Sequence, residues 1–279
     1  MSDLVPVPAD ALRENKRVLI ALPWYRAANP LTTVSLLNLF QRDCMGASIS
    51  FGDAFIVHAR NKLATKFLGT KFDWMLMIDD DMVLPCGNAA WFNEYTGLNL
   101  PEWSAGLNTV ERLVSHGKTL VGATYFGRNP GRPPVFAEGV SRNEELIRTG
   151  PRNEIIPTKW VGTGCLLIHR SVLVDIENKF PHLSRSENGG TGQWFTSSEH
   201  DLHRAVEHVM NLLAEPTPNL REVKEVLESG LEHSRVHSSM GMGEDVQFCI
   251  RATQAGHTSF VDLGLWDGHI GPACFPLKK

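Results

Sequence analysis

The stretch Phe72–Pro85, FDWMLMIDDDMVLP, constrains this chain more than any other. The apolar run Trp74–Ile78 meets Asp79, Asp80 and Asp81 with no spacer, and Pro85 closes the segment. A short apolar run between breakers reads as a buried strand of a parallel sheet. The strand period of two puts Met75, Met77, Asp79 and Asp81 on one face and Asp80 on the other. Carboxylates crowded at the end of a buried strand repel one another and lose hydration, a cost that a cation or a set of donors offsets. Ligands of open α/β sheets sit at the carboxyl ends of the strands. Asp79-x-Asp81 therefore reads as a metal and phosphate site. The alternative is a solvated acidic turn, which seldom follows so apolar a strand.

A chain of 279 residues can bury one large core, either as one α/β domain with an insertion or as two small units. A net charge of −4 and a pI near 6.3 give no global pull toward nucleic acid or an anionic membrane. No stretch approaches the roughly 18 uninterrupted apolar residues of a membrane span. The N-terminal MSDLVPVPADALRENKR lacks the apolar core of a secretory signal. Cys44, Cys86, Cys165, Cys249 and Cys274 are odd in number and widely spaced, which reads as reduced thiols in a cytoplasmic protein.

Along the chain, Arg17–Leu22 is a first strand that ends at Pro23, Trp24 and Tyr25, an aromatic shelf for a planar base or plain core packing. Thr32–Arg42, with Leu36, Leu37 and Phe40, is a helix. Asp53–Leu68 is an amphipathic helix with Phe55, Ala59, Leu63 and Phe67 on one face. Arg60 within it either reaches a diphosphate or lies solvated on the outer face. Gly87–Glu111 is poorly periodic and leads to a helix through Val114; Lys118–Tyr125 is a further buried strand. The loop Phe126–Pro134 carries Arg128 and Arg132, which either meet an anionic substrate or sit in a solvated turn. Ile155–His169 reads as a strand entered through Gly162-Thr163-Gly164, where the backbone can approach a ligand closely; it lacks the third glycine of a dinucleotide fingerprint.

Residues 178–243 read as a helical insertion, with patterns over Glu199–Ala214 and Leu220–Leu231 and an apolar stripe of Leu202, Val206, Val209 and Leu213. His200, His203 and His208 do not share one helix face, which argues against a metal there. Glu244–Ala255 is a helix with Val246, Cys249, Ile250 and Thr253 inward. Its opening Glu244-Asp245 serves the helix dipole or aims carboxylates into a cleft. Phe260–Leu263 is a last short strand, and His269 follows between two glycines.

Taken together, VLIALPWY, ARNKLATKFL leading to FDWMLMIDDDMVLP, KTLVGATYFGR, VGTGCLLIHR, GEDVQFCIRATQAGH and GHIG resemble, in that order, the nucleotide-sugar-dependent glycosyltransferases of the GT-A fold. The likeness is greatest to bacterial and phage enzymes near family 2, and it spans most of residues 17–271. It implies a single α/β domain over 1–279: a mixed, mostly parallel, Rossmann-like sheet flanked by helices, with 178–243 covering the acceptor side. It also implies a metal-dependent transfer of sugar from a nucleoside-diphosphate sugar, UDP-sugar favoured, to an acceptor hydroxyl of a glycan or a hydroxymethylated DNA base. By the same resemblance Asp81 and His269 hold Mn²⁺, or Mg²⁺ in its place, and Asp79 shares the metal or faces the ribose. Pro23, Tyr25, Arg60, Asp80, Gly162 and Gly164 fall with Asp79 on the donor side. Arg128, Arg132 and Trp194 fall on the acceptor side. Asp245 is the base of an inverting reaction with Glu244 beside it, or both only position substrate in a retaining one. The expected setting is the cytoplasm of a bacterial or phage-infected cell.

Two rivals come from other classes. Asp79-Asp80-Asp81-Met82-Val83 also fits the nucleophile motif of haloacid-dehalogenase-type phosphatases, with Asp79 forming a phospho-enzyme. That motif normally lies on a first strand, and His269 and Glu244-Asp245 then have no task. The second is a protein that holds a nucleotide or glycan without turnover.

Overall fold

The computed structural model describes residues 17–25, 29–39, 45–127, 149–184, 190–196, 198–214, 216–237, 243–271 and 274–275. The chain alternates strands and helices in its first half: β1 Val18–Trp24, α1 Pro30–Leu39, β2 Met45–Phe51, α2 Ile56–Leu68, β3 Trp74–Ile78 and the two-residue β4 Met82–Val83. Three short helices follow, α3 Ala89–Thr96, α4 Glu102–Ala105 and α5 Thr109–Ser115, and then β5 Leu120–Thr124. The second half holds β6 Ile155–Thr158, β7 Cys165–His169, α6 Arg170–Lys179, α7 Ser198–Leu213, α8 Leu220–His237, α9 Glu244–Gln254, β8 Ser259–Trp266, β9 Gly268–Ile270 and β10 Cys274–Phe275.

Seven strands form one sheet in the order β2-β1-β3-β7-β5-β8-β6, and β10-β9-β4 form a second, small one. β3 lies inside the large sheet, parallel to β1 and antiparallel to β7. Its alternation is the expected one: Met75 and Met77 join one core cluster, Trp74, Leu76 and Ile78 the other. The expectation of a mostly parallel sheet is corrected. β1–β2, β1–β3 and β5–β8 are parallel, but β3–β7, β5–β7 and β6–β8 are antiparallel. Apolar strands buried on both faces look alike from sequence whichever way they run, so orientation was not encoded in that pattern. Ile155–His169 is likewise two strands rather than one, broken by a turn at Thr163 and Gly164.

Local chemistry explains the helix ends. Pro30 opens α1, where its missing N–H costs nothing, and the Asn29 side chain accepts from Leu31 N at 2.9 Å. Asn88 and Asn108 cap α3 and α5 by accepting from Trp91 N and Glu111 N, and Gly97 ends α3 at a φ of +67°. These caps supply order to the Gly87–Glu111 stretch that its weak periodicity concealed. In α2, Ala59, Leu63 and Phe67 are buried as expected, but Phe55 precedes the helix and is 76% exposed. In α9 the inward face is turned from the expected one: Gln247, Phe248, Cys249, Arg251 and Ala252 are buried, whereas Val246 and Ile250 are only half-buried. Phe248 stacks on Phe195 with ring centroids 4.3 Å apart, and that contact sets the rotation.

α7 and α8 pack together through their own small cluster of Ala205, Val209, Leu212, Val223 and Val226. The stripe is thus Ala205–Val209–Leu212; Val206 and Leu213 face outward, and the side chain of Leu202 lies outside the described residues. Among the described residues, no helix is long and apolar enough to cross a membrane.

A buried charge fastens the far edge of the sheet. Asp262 on β8 is fully buried and accepts from Arg112 Nε at 2.6 Å, His116 Nε2 at 2.6 Å and the N–H of Gly264 at 2.8 Å. Burial pushes its pKa up, but the bonds from His116 and Arg112 outweigh that and hold it below the ordinary carboxylate value. Replacing it removes the buried carboxylate that Arg112, His116 and the Gly264 N–H all share, so Asp262→Asn should cost about 3 kcal/mol in urea unfolding. Because the folded pKa is the lower one, this contribution is present above the ordinary carboxylate range. It should fade as pH falls toward the depressed value, and more steeply in the wild type than in Asp262→Asn.

Candidate functional site

The carboxyl end of β3 is where the expected residues were to meet, and the backbone there is held from three sides. Asp79 N donates to Gly164 O at 3.1 Å, from the turn before β7. Asp80 O accepts from Asn29 N and from Thr32 Oγ1, both at 3.2 Å, at the start of α1. Asp81 O accepts from Ile270 N at 2.8 Å. The triplet leaves the strand at Ile78, so strict strand alternation ends before the aspartates.

The small sheet brings His269 to Asp81. β4 and β9 pair antiparallel with Met82 opposite His269, which sets His269 Nε2 3.4 Å from Asp81 Oδ2. His269 Nδ1 lies 2.7 Å from Phe126 O. A carbonyl oxygen only accepts, so Nδ1 carries a proton, and in the neutral ring the lone pair is on Nε2, facing Asp81. The Tyr125 ring meets the imidazole edge to face, centroids 5.5 Å apart at 88°. The two expected ligands therefore converge with their orientation fixed. Asp81 and His269 are the side chains here that could hold a divalent cation. Among the described residues, no group of three or more His, Cys, Asp and Glu side chains is arranged to hold a metal by itself.

Asp79, the third expected ligand, is turned elsewhere. Arg60 Nη2 donates to its Oδ1 and Oδ2 at 2.8 and 3.0 Å. The same guanidinium donates through Nη1 to Glu244 Oε1 at the start of α9. Arg60 is 3% exposed, so the outer-face alternative is excluded. Burial alone would lower its pKa; Asp79 and Glu244 overcome that and raise it. Asn61 extends the join: its side chain accepts from Phe195 N at 2.9 Å and donates to Phe195 O at 2.8 Å.

Asp245 is half-buried beside Glu244, and its Oδ1 accepts from Val246 N at 2.8 Å. Burial first, and then the neighbouring Glu244 charge, raise its pKa above the ordinary carboxylate value. Tyr125 was not singled out in the sequence, yet it links these groups. Its hydroxyl accepts from Gly164 N at 2.9 Å, and burial followed by the charge of Asp79 pushes its pKa well up. Gln247, one helical turn after Glu244, is fully buried with neither amide atom hydrogen-bonded among the described residues. A buried polar residue in an otherwise apolar helical stripe is the sequence signal for it.

The other candidates fall as follows. Pro23 is buried within β1 opposite Ser50, while Tyr25 just beyond is 51% exposed. The close approach that Gly164 permits is to Tyr125: an added Cβ would lie 2.9 Å from its hydroxyl oxygen. Gly162 precedes the turn and has no comparable contact described. Trp194 is corrected from an acceptor contact to a core residue, fully buried with its indole N–H donating to Leu173 O at 3.0 Å. Arg128 and Arg132 lie outside the described residues, as do the side chains of His200 and His203.

No protein family and no curated protein matches this sequence. Among solved structures, A197 from STIV is similar to it at a TM-score of 0.39 and 15% identity, over 63% of this chain and 74% of that one. GalNAc-T7, solved with UDP, GalNAc and Mn²⁺, is similar at a TM-score of 0.37 and 12% identity, over 95% of this chain. This chain spans 39% of the GalNAc-T7 chain. The likeness is one of remote overall shape and assigns no residue.

Proposed function

We propose that the protein is a metal-dependent glycosyltransferase that moves a sugar from a nucleoside-diphosphate sugar, UDP-sugar first, to an acceptor hydroxyl. The observation that carries the reading is the convergence of Asp81 with His269, 188 positions later, at the end of the buried strand β3. Beside that pair lie Arg60, Asp79, Glu244 and Asp245, the other residues that the ordered motifs nominate. The phosphatase alternative uses Asp79 alone and leaves His269 and the Glu244-Asp245 helix start without work. Their gathering at one strand end therefore favours transfer.

In this reading Asp81 and His269 hold Mn²⁺ or Mg²⁺, and Asp79 sits on the donor side through Arg60 rather than as a ligand. The cation, when bound, supplies Lewis-acid stabilisation of the negative charge that grows on a departing diphosphate. Arg60 would stand behind Asp79 and Glu244, its planar guanidinium paired with both. Asp245 takes the acceptor proton if the anomeric centre inverts, its pKa raised by burial and by the Glu244 charge beside it. The acceptor, a glycan or a hydroxymethylated DNA base, approaches from the side of Glu244 and Asp245, with the helices between 178 and 243 as its cover. The whole chain then acts as one catalytic domain.

The cleft's own charge makes a cation requirement a sharp test. Asp79, Glu244 and Asp245 set three carboxyl groups against the Arg60 guanidinium, and Asp81 adds a fourth beside His269. UDP should therefore raise the melting temperature only with Mn²⁺ present, and at a hundredfold excess over Kd the gain corresponds to about 2.7 kcal/mol. Asp81→Ala and His269→Ala should each remove the Mn²⁺-dependent gain; an undiminished gain in either variant refutes the assignment of the cation. Asp245→Asn should bind UDP as the wild type does while sugar transfer falls about a hundredfold or more. Full transfer by Asp245→Asn would exclude it as the base.

A further inference from the structure

The acceptor-side task expected of Glu244 does not match where its carboxylate is spent. It accepts from Arg60 Nη1, while Arg60 Nη2 is held by both oxygens of Asp79 at 2.8 and 3.0 Å. Both terminal nitrogens of the fork are thus engaged by carboxylates before any substrate arrives. The arginine cannot escape to water, because it springs from the middle of α2 and is 3% exposed. The two carboxylates are more open, with side-chain exposures of 23% for Asp79 and 22% for Glu244, so an incoming anion meets them first. Phosphate oxygens would seek the same N–H groups that Glu244 and Asp79 already occupy.

We infer that Glu244 is a positioning residue that acts through Arg60: it keeps the guanidinium neutralised and so makes diphosphate binding wait for the cation. The inference rests on the function proposed above and changes the work of one residue within it. Removing the Glu244 charge frees one Nη for phosphate and takes a negative charge out of the cleft, so anion affinity rises. The same removal weakens the field that draws a cation toward Asp81 and His269, so cation affinity falls. These opposite signs are the signature. A carboxylate that merely braced α9 against α2 would weaken both on removal, and one that only touched the acceptor would move neither.

The test compares the full-length wild type with Glu244→Gln by calorimetry and thermal shift, using Mn²⁺ alone, UDP alone and UDP with saturating Mn²⁺. In Glu244→Gln we expect UDP to bind about tenfold tighter at saturating Mn²⁺ and to give a measurable shift without it, while Mn²⁺ alone binds several-fold more weakly. If the wild type responds to UDP with Mn²⁺ but Glu244→Gln binds UDP no better, the inference is overturned and the proposed function stands. If the wild type shows no response to UDP with Mn²⁺, both fall. Should Glu244→Gln fail to fold, Glu244→Asp draws the carboxylate back from Arg60 while keeping its charge. Tighter UDP with unchanged Mn²⁺ affinity in that variant supports the inference, and unchanged UDP affinity overturns it.

Discussion

The ion pairs of Arg60 with Asp79 and Glu244 hold the candidate site together. One guanidinium, buried in α2, reaches the end of β3 on one side and the start of α9 on the other. Nothing in the local sequence of either carboxylate demands the other; Glu244 follows Asp79 by 165 positions. A charge buried to this degree is tolerable only when its partners are fixed, because breaking one contact leaves an uncompensated charge in a poorly solvated place. Arg60 therefore makes the positions of β3 and α9 interdependent. The paired bonds of Asn61 to Phe195, one residue along, and the stacking of Phe195 on Phe248 carry the same join toward the core.

The ends of the sheet explain why the second half of the site lies within reach. β3 sits between β1 and β7, so its carboxyl end opens at the middle of the large sheet rather than at an edge. β4 leaves that end after only the aspartates and pairs at once with β9. Register across this two-residue ladder, rather than any long-range attraction between Asp81 and His269, fixes their separation. Tyr125 adds the cross-link: its hydroxyl is seated on the Gly164 amide while its ring lies against His269. Since Gly164 O also accepts from Asp79 N, one tyrosine touches the support of both carboxylates of the motif. A side chain at Gly164 would collide with that ring, so the glycine serves the protein's own packing.

What could be read from the sequence follows what is local. The strand before Asp79, the helix that carries Arg60 and the acidic start of α9 each depend on a pattern within a dozen residues, and each forms. Strand direction did not show, because Leu120–Thr124 and Cys165–His169 are apolar on both faces and carry no mark of orientation. The rotation of α9 was misjudged for a related reason. Arg251 donates to the carbonyls of Trp194 and Thr196, more than fifty residues away, and those bonds, with the stacking of Phe248 on Phe195, outweigh the apolar claim of Val246 and Ile250. Trp194 misled in the opposite sense: the resemblance put it on the acceptor side, but its indole is a core piece closed over by Gly192. Tyr125 passed unnoticed because its importance comes from hydrogen bonding to a backbone amide, which leaves no residue-type pattern.

The balance of charge gives the arrangement its direction. A site built only to hold a diphosphate would gather arginines and lysines; here the Arg60 guanidinium lies among the carboxyl groups of Asp79, Glu244 and Asp245 and is neutralised by the first two. Under the proposed function such a setting repels an anion unless a divalent cation enters first, and Asp81 and His269 are the residues that would hold it. Glu244 and Asp245 then differ in kind although they are adjacent. The first is spent on Arg60, and the second, raised by burial and by that very neighbour, is left as the carboxylate with affinity for a proton. Under the proposed function two acids adjacent in sequence would thus divide the work: Glu244 would regulate what Arg60 can bind and, by standing beside Asp245, raises the pKa of the proposed base.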